Sequence, residues 1–155
     1  MITKTRNIEP ITSQAIWLDV KFVLHDFIYP ALNAQINHLH HYCSKHNLDE
    51  SELLVLSIEN EFEQLVKQEE IELFPLLDEL FQTHKNPSNF EPFKEVKKYF
   101  NATQLNVGML LITAADNADQ NLLNDIRTFE EQLNDVQFLK DKYFFVHFKN
   151  CTDSM

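Results

Sequence analysis

Apolar residues recur every three or four positions along four long segments of this 155-residue chain, a spacing typical of amphipathic helices. The segments cover about residues 13–45, 49–82, 91–114 and 121–148. One glycine and five prolines leave few of the tight turns that sandwiches, barrels and Gly-rich nucleotide loops require. Four such helices with short connections predict an all-α, antiparallel four-helix bundle that forms a single domain over residues 1–155.

Each segment carries its apolar residues as one stripe. In chain order the stripe residues are Ile16/Trp17, Val20, Val23/Leu24, Phe27/Ile28, Ala31/Leu32, Ile36 and Leu39; then Ile58, Phe62, Leu65/Val66, Leu73, Leu77 and Leu80/Phe81; then Phe93, Val96, Phe100, Thr103, Val107 and Leu110/Leu111; and finally Ile126, Phe129, Leu133, Val136, Tyr143/Phe144 and His147. Ser13 is the predicted N-cap of the first helix. Pro30 and Pro75 fall inside the first two segments, where each either kinks or ends a helix.

The net charge indicates which kinds of partner the chain can bind. A formal net charge of −11 disfavours contact with phosphate backbones and anionic membranes and suits a partner with a basic surface. The N-terminal residues lack the apolar core of a signal peptide, and no apolar run reaches membrane-spanning length. Two cysteines, Cys43 and Cys151, form no disulfide framework. The expected location is therefore the reducing cytoplasm.

One stripe position is occupied by a carboxylate. Between Val66 and Leu73 the inward position belongs to Glu69 or Glu70, although a buried carboxylate costs several kcal/mol unless it is paired or bound to metal. Lys140 fills a similar gap in the fourth stripe, so a Glu–Lys contact across the bundle is the favoured interpretation. The alternatives are a metal ligand between helices, or an open bundle end whose polar residues face a partner.

A complete metal centre is not expected. Histidine is absent from residues 50–83 and 85–145, so two of the four helices offer no central imidazole to a di-iron site. The stretch "HLHHYCSKH", residues 38–46, pairs His38 with His41 and His40 with Cys43 at helical spacing, which suits zinc or copper. A solvated helix terminus is the favoured interpretation. The sequence thus predicts no metal, no cofactor and no catalytic residue.

The stretch "KDKYFFVHF" near the end of the chain is rich in aromatic residues. Phe144 and His147 follow the fourth stripe, whereas Phe145 and Phe148 fall off it. Aromatic residues off the stripe indicate either a wide buried face or an exposed interaction patch.

Parts of three segments resemble the Rsd/AlgQ family of anti-sigma regulators, which bind the housekeeping sigma factor of RNA polymerase. "WLDVKFVL" is similar to the family's first-helix motif, with Lys21 in place of Arg, and "FEQLVK" from Phe62 is similar to its second-helix motif. "FEEQLNDVQFLKDKYF" resembles the end of the last helix. The family's Ser-Ala-Gly-His-Phe stretch is absent here except for Phe74. The resemblance implies a cytoplasmic bundle that sequesters a sigma factor.

"LVKQEEIELFP" resembles a second group, the hemerythrin-like di-iron proteins of iron–sulfur cluster repair. Glu69, Glu70 and the Leu-Phe-Pro of residues 73–75 match the group's motif, and "HDFIYPAL" is similar to its first-helix segment. Leu65 and Phe22 stand where ligand histidines are expected, and Gln137 and Asp141 stand where His and Glu are expected. This resemblance implies a bundle whose metal centre is largely lost, with Glu69 and Asp141 left as stranded carboxylates.

The favoured hypothesis is a non-enzymatic regulator that covers the basic DNA-binding region of a sigma factor. The alternative is a hemerythrin-like stress-response bundle with a degenerate or absent metal site. No direct contact with nucleic acid or membrane is expected. The candidate partner-binding residues are Trp17, Lys21, Phe62, Glu69, Glu70 and Asp141.

Overall fold

A computed structural model of the chain describes residues 14–83, 85 and 89–145, and these residues are helical throughout apart from short connections. They form four long helices and no strand, which confirms the prediction of an all-α four-helix bundle. Ser13, His147, Phe148 and Cys151, and the side chains of Phe144 and Phe145, lie outside the described part. The predictions for the N-cap, for the thiol of Cys151 and for most of the aromatic stretch therefore rest on the sequence alone.

Three of the four helices contain a π-helical turn. Helix α1 consists of Gln14–Val23, the π-turn Leu24–Ile28 and Tyr29–Lys45. Helix α2 consists of Asp49–Gln68, the π-turn Glu69–Leu73 and Phe74–Thr83. Helix α3 is Glu91–Asp116, and helix α4 is Gln120–Lys140 followed by the π-turn Asp141–Phe145.

Neighbouring helices run antiparallel around the bundle. Helix α1 packs against α2 and α4, and α3 also packs against α2 and α4, so α1 and α3 are diagonal to each other. The direction follows from cross-helix contacts, because Tyr42 bonds Asp119 near one end of α1 whereas Tyr29 lies over Lys140 further along. Residue numbers along α4 therefore increase in the direction in which residue numbers along α1 decrease, so the two helices are antiparallel.

The two short connections use left-handed residues in a chain that has one glycine. Asn47 after α1 and Ala118 after α3 adopt φ values of 56° and 54°. Each lets the following amide bond back to the helix end, from Leu48 to the carbonyl of Cys43 and from Asp119 to that of Ala114. The Asp119 side chain then accepts a hydrogen bond from the Leu122 amide and caps α4.

Neither proline ends its helix. Pro30 and Pro75 are each the second residue after a π-turn, and the helix continues beyond them. A proline clashes with the carbonyl one turn earlier and removes a backbone donor. The π-turn before it shifts the hydrogen bonds to i→i+5, as the Tyr29 amide to the Leu24 carbonyl and the Phe74 amide to the Glu69 carbonyl show. The wider turn therefore accommodates the proline without a break.

The π-turn in α1 changes which residues are buried. The sequence period places Phe27/Ile28 inside, and Ile28 does pack against the core as a partly buried residue. Phe27, however, is 60% exposed, and the fully buried position belongs to Tyr29. The step from Leu24 to Tyr29 is five residues, and on either side the steps return to three and four. Elsewhere the predicted stripes hold, because one residue of each stripe position within the described part is buried or packs on the core.

No described helix is long and apolar enough to cross a membrane.

Replacing Phe27 by alanine tests the π-turn. Because Phe27 faces solvent, Phe27→Ala should change the free energy of unfolding by about 0.5 kcal/mol or less. Phe62→Ala, at a site 2% exposed, should cost about 3–5 kcal/mol. Chemical denaturation of both variants checks this. A loss of several kcal/mol in Phe27→Ala would mean that α1 follows the ordinary helical period and has no wide turn.

Candidate functional site

A buried polar triad crosses the middle of the bundle. Glu69 on α2 accepts hydrogen bonds from the Tyr29 hydroxyl through Oε1 and from the Lys140 ammonium through Oε2. Glu69 and Lys140 are fully buried, and Tyr29 is 3% exposed. The three residues come from α1, α2 and α4, and the ion pair joins two helices that are diagonal to each other. We call these three residues the core triad.

Helix α3 contributes the apolar side of this site. The Lys140 ammonium lies 5.2 Å from the centre of the Phe100 ring and 5.4 Å from that of Tyr29. Phe62 meets the Tyr29 ring edge to face, with ring centres 5.4 Å apart. The ammonium thus has a carboxylate on one side and two ring faces on others, a setting that suits a desolvated cation.

Burial governs the ionisation of the core triad. Burial raises the pKa of Tyr29 well above 10.0, and the neighbouring Glu69 carboxylate raises it further. Burial lowers the pKa of Lys140 from 10.5, and Glu69 opposes that shift by favouring the ammonium. Lys140 and Glu69 are both buried, so each charged group depends on the other for its stability in this place.

The geometry decides between the interpretations of Glu69. The predicted Glu–Lys contact across the bundle is confirmed, and at this level the bundle is closed rather than open to a partner. Glu69 is not stranded, because both of its oxygens have donors. Asp141 is exposed and adjoins the inward-facing Lys140, so its carboxylate does not enter the core. In the described part of the chain no three His, Cys, Asp or Glu side chains are grouped so as to hold a metal ion.

The π-turns coincide with the core triad. Tyr29 directly follows the π-turn of α1, Glu69 begins that of α2, and Lys140 directly precedes that of α4. A π-turn adds one residue to a helix and so rotates the helix beyond it relative to the residues before it. The wide turn before Tyr29 brings its hydroxyl inward to Glu69, where an uninterrupted α-helix would have placed Phe27 or Ile28.

The histidine-rich stretch near the end of α1 binds carboxylates on both neighbouring helices. His40 lies 3.3 Å from Glu52 and 4.0 Å from Glu59 on α2, and His38 lies 3.0 Å from Asp125 on α4. Cys43 is buried, and its burial raises the pKa of the thiol to about 11. These histidines therefore tie α1 to its neighbours, and Cys43 is a core residue rather than a thiolate ligand or nucleophile.

The first half of α1 presents an apolar strip to solvent. Leu18, Phe22 and Phe27 are 50%, 53% and 60% exposed, and the rings of Phe22 and Phe27 meet edge to face at 5.3 Å. We call these three residues the α1 strip. Asp19 and Asp26 lie exposed beside it. An aromatic pair with more than half of each side chain in water has no packing role inside the bundle, so it is a candidate contact surface.

The candidate partner-binding residues divide into two groups. Trp17, Phe62 and Glu69 are at most 2% exposed and act in the core. The Trp17 ring nitrogen donates to Asp78 at 2.6 Å, and Lys21 bonds the same carboxylate at 3.1 Å. The three that reach solvent are Lys21, Glu70, which pairs with His25 at 3.3 Å, and Asp141.

Sequence reasoning missed two features of the site. One is Tyr29, because the regular helical period assigns its inward position to Phe27 or Ile28. The α1 strip was partly hidden for the same reason. The available signal was the proline in each of these helices, since Pro30 and Pro75 are each the second residue after a π-turn.

No family model matches the chain, and no curated protein or solved structure does so either. Both resemblances drawn from the motifs therefore stay predictions, and function is inferred from the residues of the molecule itself.

Removing one member of the buried ion pair should be costly. Lys140→Met leaves the Glu69 carboxylate buried without its cation, and we expect it to lower the free energy of unfolding by about 3–5 kcal/mol. Lys142→Met, two residues along at an exposed position, should change it by about 0.5 kcal/mol or less. The triple variant Tyr29→Phe/Glu69→Leu/Lys140→Met should regain most of the loss, because no buried polar group remains unpaired. Equal stability of the two single variants contradicts the ion pair.

The raised pKa of Tyr29 predicts a loss of stability in alkali. Above about pH 10 the unfolded chain releases the phenol proton while the folded chain retains it, so ionisation stabilises the unfolded state. The advantage of the wild type over Tyr29→Phe should thus be constant below about pH 9 and shrink as the pH rises further. Denaturation of both proteins from about pH 8 to 11 measures this, and a difference that grows with pH contradicts it.

Proposed function

We propose that the chain is a non-enzymatic regulator that binds a basic protein through the α1 strip and the carboxylates around it. The observation that supports this proposal is the exposed Phe22–Phe27 pair beside Asp19 and Asp26. Large aromatic side chains supply most of the binding energy at protein interfaces, and surrounding carboxylates select a cationic partner and speed its approach. The net charge of −11 acts in the same direction.

The favoured partner is the basic DNA-binding region of a sigma factor, and the favoured location is the cytoplasm. The motif resemblance to anti-sigma regulators supports this choice, as does the acidic composition. The mechanism is occlusion. The aromatic pair seats on the apolar side of the partner's helices, and the carboxylates pair with lysine and arginine side chains that otherwise contact promoter DNA or the polymerase core.

The core triad supports a binding role over a metal-dependent one. In a di-iron bundle, inward carboxylates are held by metal cations between helices. Here the cation between the helices is the Lys140 ammonium, which bonds Glu69 directly. The hemerythrin-like alternative therefore requires Glu69 to exchange a buried lysine for iron. Measured iron of about two atoms per chain in the purified protein would establish that alternative.

Binding to the isolated DNA-binding region of the host's housekeeping sigma factor tests the proposal. The Phe22→Ala/Phe27→Ala variant should bind at least about tenfold more weakly, because each alanine removes an exposed aromatic anchor. Phe138→Ala is the matched control, since Phe138 on α4 is 65% exposed and lies outside the α1 strip. Titration calorimetry at low and high salt should also show a dissociation constant that rises with salt. Unchanged affinity in the double variant, or in high salt, contradicts the proposal.

A further inference from the structure

Helix α3 contains a long stretch without charge. From Phe100 to Ala115 no residue is Asp, Glu, Lys or Arg, although these types make up 24% of the chain. The outer face of this stretch is apolar, because Leu105, Met109 and Ile112 are 66%, 47% and 65% exposed. Their spacing of four and three residues places them on one face of the helix.

The single glycine of the chain lies beside this apolar face. Gly108 is in the middle of α3, where glycine costs about 0.5–1 kcal/mol relative to alanine. A Cβ atom added at Gly108 would meet nothing within 4 Å, so packing within the chain does not require a glycine there. The result is a notch on the surface between large side chains. We call Leu105, Gly108, Met109 and Ile112 the α3 strip.

We propose that the α3 strip is a self-association surface, on which a second copy of the chain packs its own α3 antiparallel about a two-fold axis. With the axis between Gly108 and Met109, Met109 faces the notch at the partner's Gly108. Leu105 then faces the partner's Ile112. A two-fold interface must be complementary to itself, and this strip has a large side chain and a matching notch on either side of its centre.

Charge identifies the occupant as a second copy. Two chains of net charge −11 repel each other, and the uncharged strip is a surface on which they can approach without opposing carboxylates at its centre. The charged residues nearest the strip on this face have opposite signs at its two ends, with exposed Lys98 before it and exposed Asp116 after it. Antiparallel packing brings Asp116 opposite the partner's Asn101, one helical turn from the partner's Lys98. A basic partner, in contrast, gains nothing from an uncharged face.

This interface is independent of the proposed partner site. The α1 strip and the α3 strip lie on helices that are diagonal in the bundle and do not pack against each other as neighbours. A dimer through α3 leaves both α1 strips open.

Sedimentation equilibrium over a range of concentrations tests the self-association. The wild type should form a dimer reversibly. Gly108→Leu should weaken it at least tenfold, because leucine fills the notch, while the monomer remains folded since the space is open and leucine favours helix. Leu53→Glu is the control, since Leu53 is 67% exposed on α2 and lies outside the strip. A monomeric wild type at all concentrations, or a dimer that Gly108→Leu leaves unchanged, overturns the proposal.

A charge exchange tests the antiparallel register. Lys98→Asp and Asp116→Lys should each weaken the dimer severalfold, because each brings like charges together at the ends of the strip. The double variant Lys98→Asp/Asp116→Lys should restore most of the affinity, since the opposite charges meet again with their positions exchanged. If the double variant loses as much dimer affinity as the two single variants lose together, the two helices do not pack in this register.

Discussion

The bond between Glu69 and Lys140 is the constraint on which the rest of the bundle depends. It joins α2 to the diagonal helix α4 through the buried centre of the fold, where neither charge is stable alone. Tyr29 supplies a further hydrogen bond from α1, and Phe100 of α3 covers the ammonium. All four helices therefore meet at one ion pair, and their relative rotation at this level has to satisfy it. Buried polar groups of this kind specify an arrangement more than they stabilise it.

Much of this could be predicted from the sequence, and the failures have one physical cause. The helical period identified the four helices, and the gaps at Glu69 and Lys140 in two stripes indicated their contact. The prediction failed where the period itself changes. A π-turn adds a residue without altering the local composition, so Tyr29 replaced Phe27 as the inward residue. The apolar period also could not predict the exposed strips. It identifies the face of a helix that is buried in the core, but it does not show whether the exposed face binds a partner.

The α1 strip and the α3 strip differ in chemistry and lie on different helices. The first half of α1 combines aromatic side chains with carboxylates, which suits a cationic partner. The outer face of α3 combines aliphatic side chains with a notch and no charge, which suits a neutral and complementary surface. Because these helices are diagonal, occupation of one face does not obstruct the other. The histidine–carboxylate pairs near the end of α1 hold this helix to both adjoining helices.

The wide turn at Leu24–Ile28 also determines where the α1 strip points. Residues 14–23 precede this turn and Tyr29 of the core triad follows it, so the turn fixes the rotation of the first part of α1 relative to Tyr29. Loss of one residue from the turn would convert it to ordinary helix and swing the preceding segment by about 100° around its axis. Leu18 and Phe22 would then leave the surface they share with Phe27. The number of residues in this turn thus keeps Leu18 and Phe22 on the same surface as Phe27.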